Sequence, residues 1–219
     1  MALLDKEVSE QVKNMLGDME RTVKVLFFKS DDESKCEYCS TIEQLLAELS
    51  ELNDKISVEI IDVDGEEQKM EEYGIEMIPA LVLLTEDGKD LGVRFYGIPA
   101  GHEFSTFLQD ILVFSKGAIP QLSKESLRKL QGVEKPVNIK VFVTVTCPYC
   151  PRAVFTAHQL AMANDRITAS MVEANEFMEL SAKFGVSSVP HVVINDEHFF
   201  VGAYPEKDFV EEVLKVAKG

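Results

Sequence analysis

Apolar and polar residues alternate with two different periods along this chain, and the two periods follow each other in the same order twice. Segments with apolar residues at every third or fourth position predict helices, and short β-branched and aromatic segments predict strands. The predicted helices are 3–19, 40–52, 66–73 and 101–115, followed by 122–130, 153–163, 176–184 and 206–217. The predicted strands are 23–29, 55–63, 80–84 and 92–96, followed by 137–143, 167–174, 191–194 and 198–201. Each half is therefore expected to fold as β-α-β-α-β-β-α behind one additional helix, which is an α/β architecture with a mixed sheet.

Individual residues repeat together with these elements. Cys36-Glu37-Tyr38-Cys39 in the first half corresponds to Cys147-Pro148-Tyr149-Cys150 in the second. In both copies a proline lies 43 positions after the first cysteine: Pro79 in the first and Pro190 in the second. A cysteine pair can recur by chance, but a pair and a distant proline at one fixed spacing indicate a duplicated unit.

The predicted boundary between the two copies lies at residues 115–120, where Gly and Pro cluster between two periodic segments. The sequence therefore predicts two domains, residues 1–117 and residues 118–219. Within them, Gly74 and Gly185 follow the predicted helices 66–73 and 176–184, and both are expected to be the left-handed residue that ends a helix.

Composition and charge exclude several classes of function. The chain of 219 residues is 46% hydrophobic, which is enough for a substantial core, and its net charge of −16 argues against nucleic acid and anionic membranes as partners. Residues 1–117 carry 26 of the 38 acidic side chains, either as a solvated surface or as a docking face for a basic partner.

There is no apolar run of 18 residues, and Asp5 and Glu7 come too early for a signal peptide. We therefore expect a cytoplasmic protein.

All four cysteines belong to the two Cys-x-x-Cys motifs, which in a reducing compartment indicates redox or metal chemistry. Cys147 is predicted at or just before a helix N-terminus, where the helix dipole favours the thiolate and lowers a cysteine pKa from about 8.5 to roughly 3.5–7.5. Cys150, one turn further on, should be more buried. Cys147 and Cys36 are accordingly the predicted attacking residues, and Cys150 and Cys39 the resolving residues.

Cys147-Pro148-Tyr149-Cys150 is the glutaredoxin active-site motif, and the tandem arrangement resembles the two-domain protein disulfide oxidoreductases of thermophilic archaea and bacteria. The resemblance implies two thioredoxin-like folds that exchange thiols and disulfides with protein substrates. It also implies that Pro79 and Pro190 are cis prolines facing the cysteines, so that Ile78 and Val189 can pair with an extended substrate strand.

The same resemblance implies the redox partners. An NADPH-dependent flavoprotein of the thioredoxin reductase type would reduce the protein, and a peroxiredoxin would be one downstream acceptor. The protein itself would carry no organic cofactor and no metal, and would use NADPH only through its reductase.

The two motifs are not expected to be equally reactive. Glu37 stands where the second motif has Pro148, and a carboxylate beside Cys36 disfavours its thiolate, with Lys35 as a partial counterweight. Cys147 is therefore predicted to carry most of the turnover, with Tyr38 and Tyr149 completing the residues that modulate each motif. The alternative is that Glu37 points into water and is screened.

The resemblance leaves the proton acceptor of the resolving cysteines open. Thioredoxins carry a buried acid in the strand before the motif, whereas Val25 and Val141 stand there in this chain. Two neighbouring lysine–acid pairs recur in the copies and could form either a proton relay or an exposed ion pair: Lys24 with Asp62, and Lys140 with Glu173.

Two other classes of protein share parts of this pattern. Two Cys-x-x-Cys pairs can form a Cys₄ zinc site, but 108 residues from Cys39 to Cys147 far exceed the usual spacing of about 15–20. A chaperone or docking module could keep the fold and use binding alone, although two intact motifs favour chemistry.

Overall fold

The computed structural model describes residues 2–32, 34–65 and 67–217. In chain order the elements are α1 (Lys6–Leu16), β1 (Val23–Lys29), α2 (Cys39–Leu52), β2 (Ile56–Asp62), α3 (Glu67–Tyr73), β3 (Ala80–Leu84), β4 (Asp90–Tyr96), α4 (His102–Ser115), α5 (Lys124–Leu130), β5 (Val137–Val143), α6 (Cys150–Ala163), β6 (Ile167–Glu173), α7 (Met178–Lys183), β7 (His191–Ile194), β8 (His198–Val201) and α8 (Glu206–Ala217). Both halves therefore contain the predicted series of elements, each behind a leading helix. The predicted helix 66–73 begins at Glu66, which lies outside the described residues.

The chain divides into two compact units whose segments interleave. The first unit consists of residues 1–90, 96–98 and 111–118, and the second of residues 91–95, 99–110 and 119–219. The chain crosses from the first unit to the second for the last time between residues 118 and 119. This crossing is one residue beyond the predicted boundary between residues 117 and 118. The segments 91–95 and 99–110, which include most of β4 and the first turns of α4, are counted with the second unit.

In the first unit β1 is the central strand of β2, β1 and β3. It pairs in parallel with β2 and antiparallel with β3, so that Val25 lies between Val58 and Leu83. The strand is rich in β-branched and aromatic residues, and Phe27 and Phe28 are fully buried. A strand that is buried on both faces needs helices to cover it. Helix α2 follows β1 in the chain and begins at the first cysteine motif.

In the second unit β5 has the equivalent central position. It pairs in parallel with β6 and antiparallel with β7, and β8 pairs with β7. Val141 lies between Met171 and Val192, and all three side chains are buried. The mixed sheet that the sequence predicted for each half is confirmed.

The helix ends follow local signals in the sequence. Gly74 and Gly185 both have left-handed backbone conformations, with φ of 60° and 63°, as predicted for residues that end helices. Helix α6 begins at Cys150, three residues earlier than predicted, and carries Pro151 in its first turn, where the missing N–H removes no helical hydrogen bond.

None of the helices in the described part of the chain is long and apolar enough to cross a membrane.

The left-handed conformation of Gly74 leads to a stability prediction. A methyl group at this position would meet no atom within 4 Å, so Gly74→Ala should be destabilising through its backbone alone, by about 1–2 kcal/mol. Gly65, in the same unit, also has open space around it but no left-handed φ, and Gly65→Ala should change the free energy of unfolding by less than about 0.5 kcal/mol. Urea unfolding of both variants checks this, and equal effects would contradict it.

Candidate active site

The second cysteine motif lies in the turn between the central strand β5 and helix α6. The backbone N–H of Cys147 donates to the carbonyl of Thr144 at 3.0 Å, which closes this turn, and Cys150 is the first residue of the helix. The two cysteines form a disulfide with their Cα atoms 5.5 Å apart. Cys147 is 7% exposed and Cys150 is fully buried, so the predicted difference in burial is confirmed. The less buried of the two cysteines is therefore Cys147, which precedes the helix and its unpaired first amides.

The first motif has the same arrangement at the start of α2. Cys39 is the first helical residue, and Cys36 lies in the preceding turn with its N–H bonded to the carbonyl of Asp32. A disulfide joins the two residues, again with a Cα separation of 5.5 Å. Here both sulfurs are nearly buried, at 4% and 5% exposure, so access does not distinguish them as it does in the second motif.

The two predicted prolines adopt the predicted geometry. The Ile78–Pro79 and Val189–Pro190 peptide bonds are both cis. The carbonyl of Pro190 accepts a hydrogen bond from the N–H of Gly202 at 2.8 Å, and the carbonyl of Pro79 accepts one from the N–H of Gly97 at 3.0 Å. These bonds anchor each proline to the chain beyond the following hairpin, in the same way in both copies.

In the second unit the structure shows directly that the proline loop faces the disulfide. The Cys147 sulfur lies 3.8 Å from the carbonyl oxygen of Val189. Val189 is partly exposed while Pro190 is buried, so the residue before the proline is the one that solvent can reach. Ile78 and Pro79 repeat this burial pattern in the first unit.

The residues between the cysteines lie at the surface, as their predicted modulating role requires. Glu37 and Pro148 are exposed, Tyr38 is 37% exposed and Tyr149 is 72% exposed. Lys35, the predicted counterweight to Glu37, forms an ion pair with Asp64 at 2.6 Å. The positive charge beside Cys36 is therefore shared with another carboxylate.

The proposed lysine–acid pairs are wrong, because the strand register separates their charges. Lys140 pairs with Ser170 and Glu173 pairs with Val143 across β5 and β6. Side chains alternate between the faces of a sheet, and an odd number of positions separates residues 140 and 143, so Lys140 and Glu173 lie on opposite faces. Lys140 instead contacts Asp196 at 2.9 Å, and the Glu173 carboxylate accepts backbone N–H groups from the turn that follows β6.

The same reasoning separates the charges in the first unit. Lys24 pairs with Ser57 and Asp62 pairs with Lys29 across β1 and β2. Five positions separate residues 24 and 29, so Lys24 and Asp62 also lie on opposite faces of the sheet. Neither a relay nor an exposed ion pair joins them.

A buried acid is present in the second unit, but on a helix rather than on the strand before the motif. Glu103, in the first turn of α4, is fully buried, and neither of its carboxylate oxygens accepts a hydrogen bond of good geometry from the described residues. Burial raises the pKa of the Glu103 carboxyl to about 7; the Thr106 hydroxyl opposes this rise and the Asp110 carboxylate adds to it.

Two contacts join helix α4 to the segment of β5 and α6. At the start of α4, the N–H of His102 donates to the carbonyl of Val145 at 3.0 Å, and a side chain at Gly101 would overlap that same carbonyl. Further along, Asp110 contacts His158 of α6 at 2.6 Å. Glu103, in the first turn of α4, therefore follows a residue that is bonded to the turn just before Cys147.

Comparison with known proteins fits this arrangement. The family model described as "Thioredoxin-like domain" matches residues 8–112, and the model described as "Thioredoxin domain" matches residues 137–215. A solved protein disulfide oxidoreductase from Aeropyrum pernix K1 is 28% identical, with a TM-score of 0.89 over 99% of this chain and 94% of that one. The chain is a thioredoxin-like disulfide oxidoreductase with two Cys-x-x-Cys sites.

Relatives of this oxidoreductase also occur as parts of larger proteins. The N-terminal domain of alkyl hydroperoxide reductase AhpF from Enterococcus faecalis V583 is 28% identical, with a TM-score of 0.86 over 95% of this chain and 99% of that one. The corresponding alkyl hydroperoxide reductase protein from Staphylococcus aureus MRSA252 is 28% identical over 98% of this chain. The chain spans 38% of the length of that curated relative.

The zinc interpretation gains no support in this oxidoreductase. Each cysteine is bonded to the other cysteine of its own motif. In the described residues, no three His, Cys, Asp or Glu side chains are arranged to hold a metal ion. Both motifs thus have the arrangement of a redox disulfide at a helix start.

The difference in burial predicts how the reduced oxidoreductase will react with iodoacetamide. Cys147 should be alkylated at least about 10-fold faster than Cys150, because it is the more accessible sulfur and lies before the helix N-terminus. Peptide mass spectrometry of samples quenched at successive times measures both rates. Equal rates, or faster alkylation of Cys150, would contradict the division into attacking and resolving residues.

Proposed function

We propose that this oxidoreductase exchanges disulfides with protein substrates and that the Cys147–Cys150 site carries most of the turnover. The position of the Cys147 sulfur, 3.8 Å from the Val189 carbonyl, is the observation that carries the proposal. A substrate strand that pairs with the backbone before Pro190 would bring its own disulfide to this sulfur, and backbone pairing makes few demands on the substrate's side chains. The exposed ring of Tyr149 offers apolar surface beside the same sulfur.

The reaction proceeds through a mixed disulfide. The Cys147 thiolate attacks one substrate sulfur, the substrate disulfide breaks, and the other substrate sulfur leaves and takes a proton. Cys150 then loses its proton and attacks the Cys147 sulfur, which forms the intramolecular disulfide and releases the second substrate thiolate. The reverse sequence oxidises a substrate dithiol, and the direction depends on the reduction potentials of the two partners.

Glu103 is the proposed proton acceptor for Cys150. It is buried in the first turn of α4, next to His102, which bonds to the turn before Cys147, and its pKa of about 7 lets it accept a proton and return it at neutral pH. In the first unit, none of the described acidic, basic or histidine side chains is buried in this way. The difference supports a more efficient second site.

The redox partners proposed for this chain follow from the resemblance and from the relatives. A flavoprotein of the thioredoxin reductase type would supply electrons from NADPH, while the chain itself would use its two disulfides and no bound cofactor. The curated relatives are named as parts of alkyl hydroperoxide reductase, which supports a peroxide-reducing acceptor such as a peroxiredoxin.

Single cysteine variants test which site carries the turnover. In an insulin-reduction assay with dithiothreitol as electron donor, Cys147→Ser should remove most of the activity and Cys36→Ser should retain most of it. The expected difference is at least about 10-fold, which corresponds to about 1.4 kcal/mol in the activation free energy. Equal losses would refute the asymmetry.

The role of Glu103 predicts a specific pH dependence. An acceptor must be ionised to take a proton, so the rate of the Cys150 step should rise with pH through about 7 in the unmodified protein. Glu103→Gln keeps the size of the side chain but cannot accept the proton, so it should slow this step about 100-fold at neutral pH. In this variant the rate should no longer rise with pH through about 7. An unchanged profile would exclude Glu103 as acceptor.

A further inference from the structure

Asp110 and His158 form a pair of buried ionisable groups, and His158 lies about two turns along α6 from Cys150. The proposed disulfide exchange does not use either group. His158 Nδ1 and Asp110 Oδ2 are 2.6 Å apart, and both side chains are fully buried. Asp110 Oδ1 and His158 Nε2 have no hydrogen-bond partner among the described residues. The Phe95 ring packs edge-on against the imidazole at a centroid distance of 4.9 Å. Enclosing such a pair among apolar groups opposes folding, so its presence calls for a role beyond stability.

The pair is electrostatically connected to Glu103 through helix α4. Glu103, Thr106 and Asp110 are spaced three and four residues apart and therefore share one face of that helix. The Asp110 carboxylate contributes to the raised pKa of Glu103. In turn, burial raises the pKa of Asp110, and His158 opposes that rise. A change in the charge on Asp110 therefore alters the proton affinity of Glu103, and a change in the charge on His158 alters that of Asp110.

We propose that Asp110 and His158 are a positioning pair for the second redox site, holding a shared proton that sets the pH range in which Glu103 accepts the proton of Cys150. This inference rests on the proposed function, because it takes Glu103 as the acceptor. With one proton between them the two groups are neutral as a pair, and Glu103 ionises readily. Without that proton the pair is negative, and Glu103 keeps its own proton to higher pH.

The contacts in the described part of the chain show which charged and titratable groups belong to this cluster. From α4, Asp110 acts on Glu103, which lies about two turns earlier on the same face; from α6, His158 contacts Asp110, and the cysteines stand at the start of that helix. From β4, the neighbour of the imidazole is the uncharged Phe95, and the adjacent Arg94 points to the opposite face of the strand.

The chain supplies a matched control in the same unit. His198 Nε2 and Glu212 Oε2 are also 2.6 Å apart, but their side chains are 33% and 16% exposed. Because water and the nearby Lys215 screen the His198–Glu212 pair, removing this pair should leave the Cys150 step unchanged.

The experiment isolates the Cys150 step in the full chain, with the first site silenced by Cys36→Ser and Cys39→Ser. The reduced protein is mixed with 5,5′-dithiobis(2-nitrobenzoate). Attack by Cys147 releases one coloured thiolate and leaves the second in a mixed disulfide, and attack by Cys150 releases that second thiolate. The rate of the second release is measured from pH 5 to 9.

Two variants of the pair should act differently on the midpoint of this profile. His158→Asn keeps an N–H donor toward Asp110 but cannot hold the shared proton, so it leaves Asp110 negative and should raise the midpoint by about half a pH unit or more. Asp110→Asn removes the carboxylate, so the pair cannot become negative and the midpoint should not rise. His198→Asn should leave it in place. A midpoint that stays in place in His158→Asn, or that rises in Asp110→Asn, would overturn the proposal.

Two further measurements keep the result interpretable. If Glu103→Gln removes the pH dependence while the pair variants do not move it, the proposed function stands and this inference fails; if Glu103→Gln changes nothing, Glu103 is not the acceptor and both fail. Carbon-13 NMR of the carboxyl groups in the unmodified oxidised protein requires no core variant. The Asp110 signal should shift over the pH range in which Glu103 titrates, and an Asp110 signal that stays constant there would overturn the coupling.

Discussion

The chemistry of this protein depends on holding a sulfur atom where a buried central strand gives way to a helix. At that junction the first amides of the helix have no backbone partner, and they point toward the turn that carries the attacking cysteine. Strands β1 and β5 fix the junction, because each is paired on both sides and cannot shift without losing two ladders of hydrogen bonds. The antiparallel neighbour then begins directly after the cis proline, which brings the loop before it to the same end of the sheet as the sulfur.

The two units share this design but differ in what they bury. The described residues of the first unit include no buried acidic, basic or histidine side chain, whereas the second unit buries Arg94, Glu103, Asp110, Lys140, His158, Glu173 and His191. Each such group loses hydration on folding, so it is retained where a partner or a function compensates. Lys140 and Glu173 have such partners in Asp196 and in a backbone turn. Among the described residues, Glu103 has no hydrogen-bond partner of good geometry for either carboxylate oxygen, and His191 has none for its ring nitrogens. The proposed role of Glu103 is supported by its neighbour His102, which bonds to the turn before Cys147.

Signals that are local in sequence predicted most of the fold. Strand composition, helical spacing and the fixed distance from cysteine to proline predicted the two units and the sulfur pairs, because each depends on a few adjacent residues or on a repeated interval. The cis prolines were predicted from the family resemblance and are confirmed. The lysine–acid pairs were wrong because being adjacent in neighbouring strands does not decide which face a side chain occupies. Glu103 was missed as an acceptor because its burial results from the packing of Gly101 and His102 against Val145, over 40 residues away in sequence.

The position of Glu103 also accounts for the apolar residue at Val141. An acid in the strand before the motif would have to be buried between β6 and β7, where Val141 contacts other apolar side chains. With the proposed acceptor on α4, the strand is free to pack as hydrophobic core. The motif that holds the sulfurs and the proposed proton acceptor are then carried by separate segments, so that the reactivity of the second site can be adjusted through α4 without altering the Cys-x-x-Cys turn. The proton affinity of the proposed acceptor, Glu103, then depends on how α4 packs and not on the residues of the Cys-x-x-Cys motif.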